Sequence, residues 1–524
     1  MDPNQIVIWI VCLSCAVLIL QMLRFGQQSG WGIVAGAISI VTIALAYFIP
    51  SWSGIVGGSL WSIFLVLPLW GLNQIDSLVS QQRYKEARTL AKYLSWLHPA
   101  DGLPEYPKLL QAQEMAQLGD LDGAVKILSR YRNVKTPLGR TSIGLLYRIA
   151  GRWQDLLLWS RDTWTEESLR ADPQLMFYYL RALGETGDLN GLLQGAEHFE
   201  SIATRTSDRT RLVLVRMMAF AFCGQPEQVQ LIFNRHLPNY SQNFRLFWLA
   251  TADRAAGDEL GARKALIELC NSSDAALRNA ANWRLAQTPV NPRTILTQSS
   301  QQILERIDRE LQQEVLYGNP SHLVSQKAYG TFGLIGVNIL VFAIELISGG
   351  SQDLEVLYHL GALVPTVVWH GEWWRLLSAT FLHYGFFHLA LNMIGLAYLG
   401  VFVEIRLGIL KYLVAYLLCG IGSMLVVTIL AVSLNSEPQV TVGASGAIMG
   451  MVGATGSILL QGWRREKSRI AAQRLRSILF IIGFQMFFDL TTPNVSFVGH
   501  TSGVALGFLI GLLLSSKKIR NVGA

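Results

Sequence analysis

Two regions of the sequence consist of apolar runs long enough to cross a lipid bilayer, and they constrain the fold more than any other feature. One region extends from Ile6 to Leu72 and the other from Phe332 to Leu514, whereas residues 76–327 are as polar as a soluble domain. A membrane-spanning helix needs about 20 mainly apolar residues, because the bilayer core offers no water to an unpaired backbone. The sequence therefore predicts an all-α, polytopic membrane protein with a soluble region between two membrane regions.

The apolar runs divide into about three N-terminal and six C-terminal spans. The chain starts without the basic stretch and cleavage site of a secretory signal, so we expect its first run to be an anchor. The predicted spans are 6–23, 31–48, 55–70, 332–347, 376–402, 410–432, 443–460, 478–490 and 497–514.

Basic residues indicate how these spans are oriented. Lysine and arginine accumulate in loops on the cytoplasmic side of a membrane. They follow the first and third spans, and they cluster again at 464–476 and 517–520. We therefore expect the soluble region and the C-terminus in the cytoplasm, with a bacterial plasma membrane as the location. The net charge of +7 is explained by these flanking residues, so no nucleic-acid partner is expected.

The soluble region repeats a glycine-centred turn between helical patterns. The glycines are 32, 36, 37 and 33 residues apart, at Gly119, Gly151, Gly187, Gly224 and Gly257. A period near 34 resembles tetratricopeptide-type helical repeats, which stack into a solenoid. We expect a protein or peptide partner on this solenoid, with a structural or regulatory spacer as the alternative. The predicted domains are 1–74, 75–292, a helical linker 293–326, a membrane domain 327–516 and a basic tail 517–524.

A serine and a histidine begin two of the C-terminal spans. Ser445 lies in the glycine-rich stretch Gly443–Gly450, and His500 precedes glycines at every fourth position. Small residues at this spacing allow two helices to approach closely, which would bring the serine beside the histidine. Because a serine hydroxyl needs a base at neutral pH, and a neutral imidazole is the usual one, the sequence permits a Ser–His pair within the membrane.

Two more polar residues lie at the same depth. His388 and Asn392 are one helical turn apart and share a helix face in the outer half of the membrane. Asp489 is a conceivable third member of a Ser-His-Asp triad, but its position before a Thr-Thr-Pro sequence favours a solvated helix end. A metal site that includes His383 is disfavoured because no His-Glu-x-x-His motif is present.

These motifs resemble those of the rhomboid intramembrane serine proteases. The resemblance covers residues 325–516 and includes Gly-x-Ser-Gly from Gly443 to Gly446, His-x-x-x-Asn from His388, and His-x-x-Gly-x-x-x-Gly from His500. It extends to three further motif positions, Trp374, Arg375 and Glu404. It implies a six-helix core and hydrolysis of transmembrane proteins in the bilayer, without a cofactor or a metal.

The resemblance also implies a role for each site residue. Ser445 would be the nucleophile and His500 its base, while His388, Asn392 and the Ser445 amide would stabilise the oxyanion. Met449 stands where relatives often carry a tyrosine, so the histidine is expected to be held less tightly. Two other classes of function stay open: an inactive relative that binds membrane clients, which would be expected to lack the dyad, and a transporter, which would be expected to show an inverted repeat.

Overall fold

The chain is helical throughout the part that the structure, a computed structural model, describes. That part comprises residues 3–25, 29–98, 101–132, 136–165, 169, 172–206, 208–318, 328–435, 439–491 and 495–514. Within these ranges the exception to helix and loop is an isolated antiparallel bridge between Leu363 and Thr441. The all-α prediction is thus confirmed for the described residues, whereas the predicted tail 517–524 and residues 319–326 of the predicted linker lie outside them.

The chain divides into two compact units, residues 1–308 and 309–524. The first unit opens with apolar helices that pack against one another through Val11, Cys15, Trp31, Ala35 and Leu65. One π-helical turn, 62–66, joins the third helix to the fourth, so that the predicted third span lies within a continuous helix of 31 residues. These helices are α1 (Pro3–Phe25), α2 (Ser29–Phe48), α3 (Pro50–Trp61) and α4 (Leu67–Ser80).

Seven helices of the described structure are long and apolar enough to cross a membrane, which makes the chain an integral, multi-pass membrane protein. Two lie in the first unit, Gly30–Phe48 and Pro50–Ser80. Helix α1 also carries an apolar stretch, Val7–Leu20, within its 23 residues. The other five belong to the second unit, at Tyr329–Ile347, Phe386–Leu407, Ile409–Ser433, Arg469–Thr491 and Phe497–Leu514.

The polar part of the first unit is built from pairs of helices. Each predicted glycine turn is present, with φ between 66° and 105°, a left-handed conformation that glycine adopts without a steric penalty. The helices are α5 (Tyr84–Leu97), α6 (Tyr106–Leu118), α7 (Leu121–Ser129), α8 (Pro137–Ala150), α9 (Trp153–Thr163), α10 (Pro173–Glu185), α11 (Leu189–Thr206), α12 (Arg209–Phe222), α13 (Pro226–Arg235), α14 (Gln242–Ala256), α15 (Glu259–Cys270), α16 (Ala275–Ala286), α17 (Pro292–Ile295) and α18 (Gln298–Tyr317).

This row of helix pairs closes on itself. The Ser241 amide donates to the Ser80 carbonyl oxygen at 3.1 Å, and the Gln117 side chain donates to the Asp274 carboxylate at 3.4 Å. The closure encloses a cavity of about 1070 Å³. Inside it the Arg181 guanidinium lies between two indole rings, and burial lowers its pKa to about 10 despite the adjacent Glu185.

The second unit contains the remaining spans and the loops between them. The predicted span 376–402 is wrong at its start, because Gly385 has φ +83° and the helix begins at Phe386. Short helices occupy the loop before it. The helices are α19 (Tyr329–Ile347), α20 (Leu354–His359), α21 (Pro365–Trp369), α22 (Arg375–Ser378), α23 (Phe386–Leu407), α24 (Ile409–Ser433), α25 (Ser445–Glu466), α26 (Arg469–Thr491) and α27 (Phe497–Leu514).

Helix α25 forms the centre of this unit. Every residue from Gly446 to Leu459 is buried, although α25 falls short of the apolarity of the seven spans. Its small residues explain both facts, because glycine contributes little hydrophobicity but allows neighbouring backbones to approach closely. Helices α23, α24, α26 and α27 pack around it, so α25 is shielded by protein on most sides.

Candidate active site

Ser445 is the first residue of the central helix α25. The preceding Gly443 has φ +130° and its amide donates to the Ala379 carbonyl at 2.9 Å, which anchors the loop that leads into the helix. Ser445 is half-buried, whereas Gly443, Ala444 and Gly446 beside it are buried. As the first residue of a helix, Ser445 has an amide with no acceptor inside the helix. The side chain and this free N–H therefore occupy the same helix end.

The glycines of α25 and α27 bring the beginnings of these two helices together. A β-carbon on Gly503 would lie 2.3 Å from the Gly446 carbonyl oxygen, and one on Gly507 would lie 1.8 Å from the Gly450 carbonyl oxygen. A β-carbon on Gly446 would lie 3.8 Å from the Gly499 carbonyl oxygen, next to His500. The predicted contact of the two small-residue faces is thus confirmed.

His500 is buried in the first turn of α27, with 9% of its surface exposed. Its Nδ1 lies 2.8 Å from Asp489 Oδ2. Among the described residues no hydrogen bond joins His500 to Ser445. Bonds between a nucleophile and its base are often long before substrate binds and tighten in the reacting complex.

The expectation that Asp489 lies at a solvated helix end is wrong. Its side chain is fully buried rather than solvated at a helix end. Oδ2 faces His500, and Oδ1 accepts a hydrogen bond from the Gln485 side chain at 2.7 Å. Gln485 precedes Asp489 by one turn of α26, a spacing at which side chains meet. That polar pair, four residues apart in the apolar second half of the helix, is the sequence signal that reasoning from the Thr-Thr-Pro motif missed.

His388 lies over the loop that precedes Ser445. A β-carbon on Gly443 would lie 2.9 Å from His388 Nε2 and 3.7 Å from Ser445 Oγ. The Tyr384 amide donates to His388 Nδ1 at 3.4 Å, so the neutral ring carries its proton on Nε2. The hydrogen bond thus leaves His388 with a donor on the side that faces the Gly443–Ser445 loop.

Asn392 supplies a second donor one turn further along α23. Its side chain is buried, with 7% exposed, and Nδ2 has no hydrogen-bond acceptor within the described structure. Buried donors are normally paired, and an unpaired one costs about 1–3 kcal/mol. A donor held unpaired in a protein interior is suited to a ligand atom that carries negative charge only transiently.

His383, considered above only as a metal ligand, supports this region. It is fully buried, its amide donates to Glu345 Oε1 at 2.9 Å, and its ring packs edge-on against His388 with centroids 5.3 Å apart. Within the described residues no three histidine, cysteine or acidic side chains are grouped to hold a metal ion. His383 therefore acts as a packing partner of His388.

Arg375 and Trp374 organise the loop before α23. The buried Arg375 guanidinium donates to the carbonyl oxygens of Tyr358 and Ala362 at 2.7 and 3.0 Å, and to Glu372 at 2.6 Å. Trp374 is half exposed and lies against Gly361, which has φ +101°. These contacts tie α20 to α22. Arg375 and Trp374 therefore stabilise the conformation of the loop before α23.

Glu404 and Met449 have structural positions and are not among the reacting groups. Glu404 accepts hydrogen bonds at 2.7 Å from the Gly330 amide and from the amide and hydroxyl of Thr331. It thus caps the beginning of α19, where an acidic group is favoured by the helix dipole. Met449 is buried in the apolar core one turn after Ser445. The weaker hold on His500 that was expected from Met449 stays a prediction.

Fold and site together define a multi-pass helical membrane protein in which a serine and a histidine begin two tightly packed helices. Residues 370–517 match the model of the rhomboid domain. Relatives include the rhomboid protease GluP of Bacillus subtilis, 33% identical over 188 residues, which are 36% of this chain and 35% of the relative. RHOMBOID-like protein 6, mitochondrial, of Arabidopsis thaliana is 37% identical over 30% of this chain and 50% of its own.

A further relative is Rhomboid-like protease 1 of Toxoplasma gondii, 32% identical over 31% of this chain and 54% of its own length. The chain thus spans between about a third and about half of the length of the relatives it matches. Residues 370–517, called the rhomboid domain below, are thus the part of the chain that matches this family. The enzyme class expected from the sequence, a rhomboid-type serine protease, is the class that this domain and these relatives support.

Proposed function

We propose that the protein is an intramembrane serine endopeptidase that hydrolyses peptide bonds in or near the transmembrane segments of membrane proteins. One observation carries the proposal: the rhomboid domain holds Ser445 and His500 at adjoining ends of helices that touch through Gly446, Gly450, Gly503 and Gly507. A serine on a buried helix end beside an imidazole is the arrangement that acyl transfer requires.

The reaction proceeds in two halves. Ser445 Oγ attacks the carbonyl carbon of the scissile peptide while His500 Nε2 takes the hydroxyl proton. The tetrahedral intermediate collapses, the C–N bond breaks, and His500 returns the proton to the departing amine. Water then attacks the acyl-enzyme with His500 again as the base, which releases the new carboxyl end and restores Ser445. No redox partner and no metal is needed for this sequence of steps.

The negative charge on the scissile oxygen needs donors that are already in place. We assign this role to His388 Nε2–H, the Asn392 side-chain amide and the Ser445 backbone N–H. Removing one donor of an oxyanion site typically costs about 3 kcal/mol of transition-state stabilisation. The unpaired state of Asn392 Nδ2 supports this role, because a donor already paired with protein would first have to break that bond.

Substrates and orientation follow from the position of the site. Ser445 and His500 begin α25 and α27, and α25 ends in Arg464 and Arg465. With basic residues in the cytoplasm, the site opens toward the outer face of the membrane. A transmembrane helix must expose its backbone to be cleaved, so preferred substrates are helices that unwind easily near that face.

We propose that the helical pairs of the first unit influence which membrane proteins are cleaved. Tetratricopeptide-type repeats commonly bind peptides, and the cavity that they enclose is of the size that ligand sites usually have. Its lining combines aromatic rings with charged groups such as Arg148 and Arg181, which suits an extended polypeptide segment from a cytoplasmic protein or client tail.

The test is cleavage of a model single-span substrate by the purified full-length protein in proteoliposomes, with the product ends identified by mass. The expected result is one or a few cuts near the outer membrane face that disappear in Ser445→Ala and in His500→Ala. Asp353→Asn, which changes an exposed helix cap on α20 to an equally good one, is the control. Cleavage that persists in Ser445→Ala would contradict the serine mechanism.

A further inference from the structure

The bond between Asp489 and His500 is the strongest feature of the second unit that a two-residue mechanism leaves unused. The side chain of Asp489 has no exposed surface, and its two oxygens each have one defined partner, His500 Nδ1 at 2.8 Å and Gln485 Nε2 at 2.7 Å. A carboxylate removed from water costs several kcal/mol unless its partners compensate. The two hydrogen bonds therefore compensate for the burial of this carboxylate.

Packing of α26 does not by itself explain why an acid is buried here. The other buried residues of this helix, Ala471, Leu475 and Ile478, lie near its beginning. Large apolar residues of its later turns, among them Phe484, Phe487 and Leu490, are exposed on the protein surface. Asp489 is thus the buried residue of these later turns, on the helix face that also carries the half-buried Gln485 and Met486, and its oxygen is directed at His500.

The hydrogen bond determines which nitrogen of His500 can act as the base. A carboxylate only accepts hydrogen bonds, so His500 Nδ1 must carry the proton that joins it to Asp489 Oδ2. The neutral ring then has its lone pair on Nε2, the form that can deprotonate a hydroxyl. When the ring gains a second proton, the negative charge at 2.8 Å stabilises the imidazolium.

We propose that Asp489 is a positioning residue that holds His500 in the tautomer and orientation needed to deprotonate Ser445, and that stabilises the imidazolium formed in that step. Gln485 orients the carboxylate through its bond to Oδ1. The site then works as a Ser-His-Asp arrangement whose third member comes from α26. This inference rests on the proposed protease function and specifies how its base is controlled.

The experiment measures kcat and KM for the single-span substrate in proteoliposomes, with the melting temperature of each purified variant. Asp489→Asn keeps the size and hydrogen-bonding capacity of the side chain and removes its charge. We expect kcat to fall roughly 10²- to 10⁴-fold while KM and the melting temperature stay unchanged. Asp489→Glu, which restores the charge on a longer side chain, should recover part of the loss. The control Asp353→Asn should retain full kcat.

Each other outcome has a defined meaning. If Asp489→Asn keeps kcat within about threefold of the wild type, the carboxylate is a packing feature and the inference is wrong. If Asp489→Asn lowers the melting temperature, Gln485→Leu decides, because it keeps Asp489 and removes the 2.7 Å bond that orients it, together with a longer 3.5 Å contact between Gln485 Nε2 and His500 Nδ1. That variant should lose about tenfold in kcat, as is typical of groups that orient a functional histidine, and an unchanged kcat overturns the inference. A wild type that cleaves none of several substrates overturns the proposed function itself, which is a separate result.

Discussion

Gly507→Ala should separate the two helices that carry the serine and the histidine. The added β-carbon would lie 1.8 Å from the Gly450 carbonyl oxygen and 2.5 Å from its carbonyl carbon, whereas ordinary contact begins at 3.4 Å. Both partners are backbone atoms, so no side chain can rotate away. The helices must move apart by more than an ångström at this level.

The expected magnitudes follow from this displacement. Overpacking of this kind costs about 1–3 kcal/mol of stability. Alanine in place of glycine within a helix adds up to about 1 kcal/mol of stability, which offsets part of this cost. Gly507 lies seven residues after His500, about two turns or roughly 10 Å along the helix axis. A shift of that size reaches the histidine, and a misplacement of about 1 Å can lower a rate by about 10²-fold.

The assay compares kcat and melting temperature with a matched change on a neighbouring helix. Gly483→Ala in α26 is the control, because nothing lies within 4 Å of a β-carbon at that position. It should leave kcat unchanged and the melting temperature equal or slightly higher. Wild-type kcat and stability in Gly507→Ala would refute the reasoning, since the close approach of α25 and α27 would then not position the site.

Three further changes test other parts of the structure. His388→Ala and Asn392→Ala should each lower kcat by about 10²- to 10³-fold with little change in KM, because donors to an oxyanion act mainly in the transition state. A rise in KM alone would contradict this role. Glu404→Ala should lower the free energy of unfolding by about 3 kcal/mol, because the amides of α19 lose their buried acceptor, and a melting curve measures it. Burial raises the pKa of Cys223 to about 12, so alkylation of its thiol at pH 8 should be roughly 10³-fold slower than that of an ordinary thiol. The partly exposed Cys270 is the internal comparison. Equal labelling of the two cysteines would show that the helical pairs do not pack as described.

Some of this structure was predictable from the sequence, because it depends on local patterns. The glycine spacing of α25 and α27 predicted that Gly446 and Gly503 would meet, since a stripe of small residues on a helix has few other uses within a membrane. The glycine turns of the first unit were predictable for a similar reason, because Gly119 and its counterparts end helices in a conformation that other residues adopt at a cost.

Other features were not predictable, because they depend on how separate elements are arranged. The closure of the first unit joins Ser80 to Ser241 across 161 residues, and no local pattern signals it. The start of α23 was misplaced because apolar residues before Gly385, such as Leu376 and Leu382, suit a buried loop as well as they suit a span. The role of Asp489 depends on the direction in which α26 approaches α27, which the Thr-Thr-Pro sequence does not reveal.

Among the buried polar groups of the rhomboid domain, three that are paired with protein contrast with Asn392. Glu404, Arg375 and Asp489 are buried and fully engaged, as an environment of low dielectric constant requires. Asn392 keeps a buried donor without an acceptor within the described residues, and this lowers stability by about 1–3 kcal/mol in the free protein. In the proposed mechanism this donor would interact strongly only when negative charge appears on the scissile oxygen, so it would stabilise the transition state more than the free enzyme.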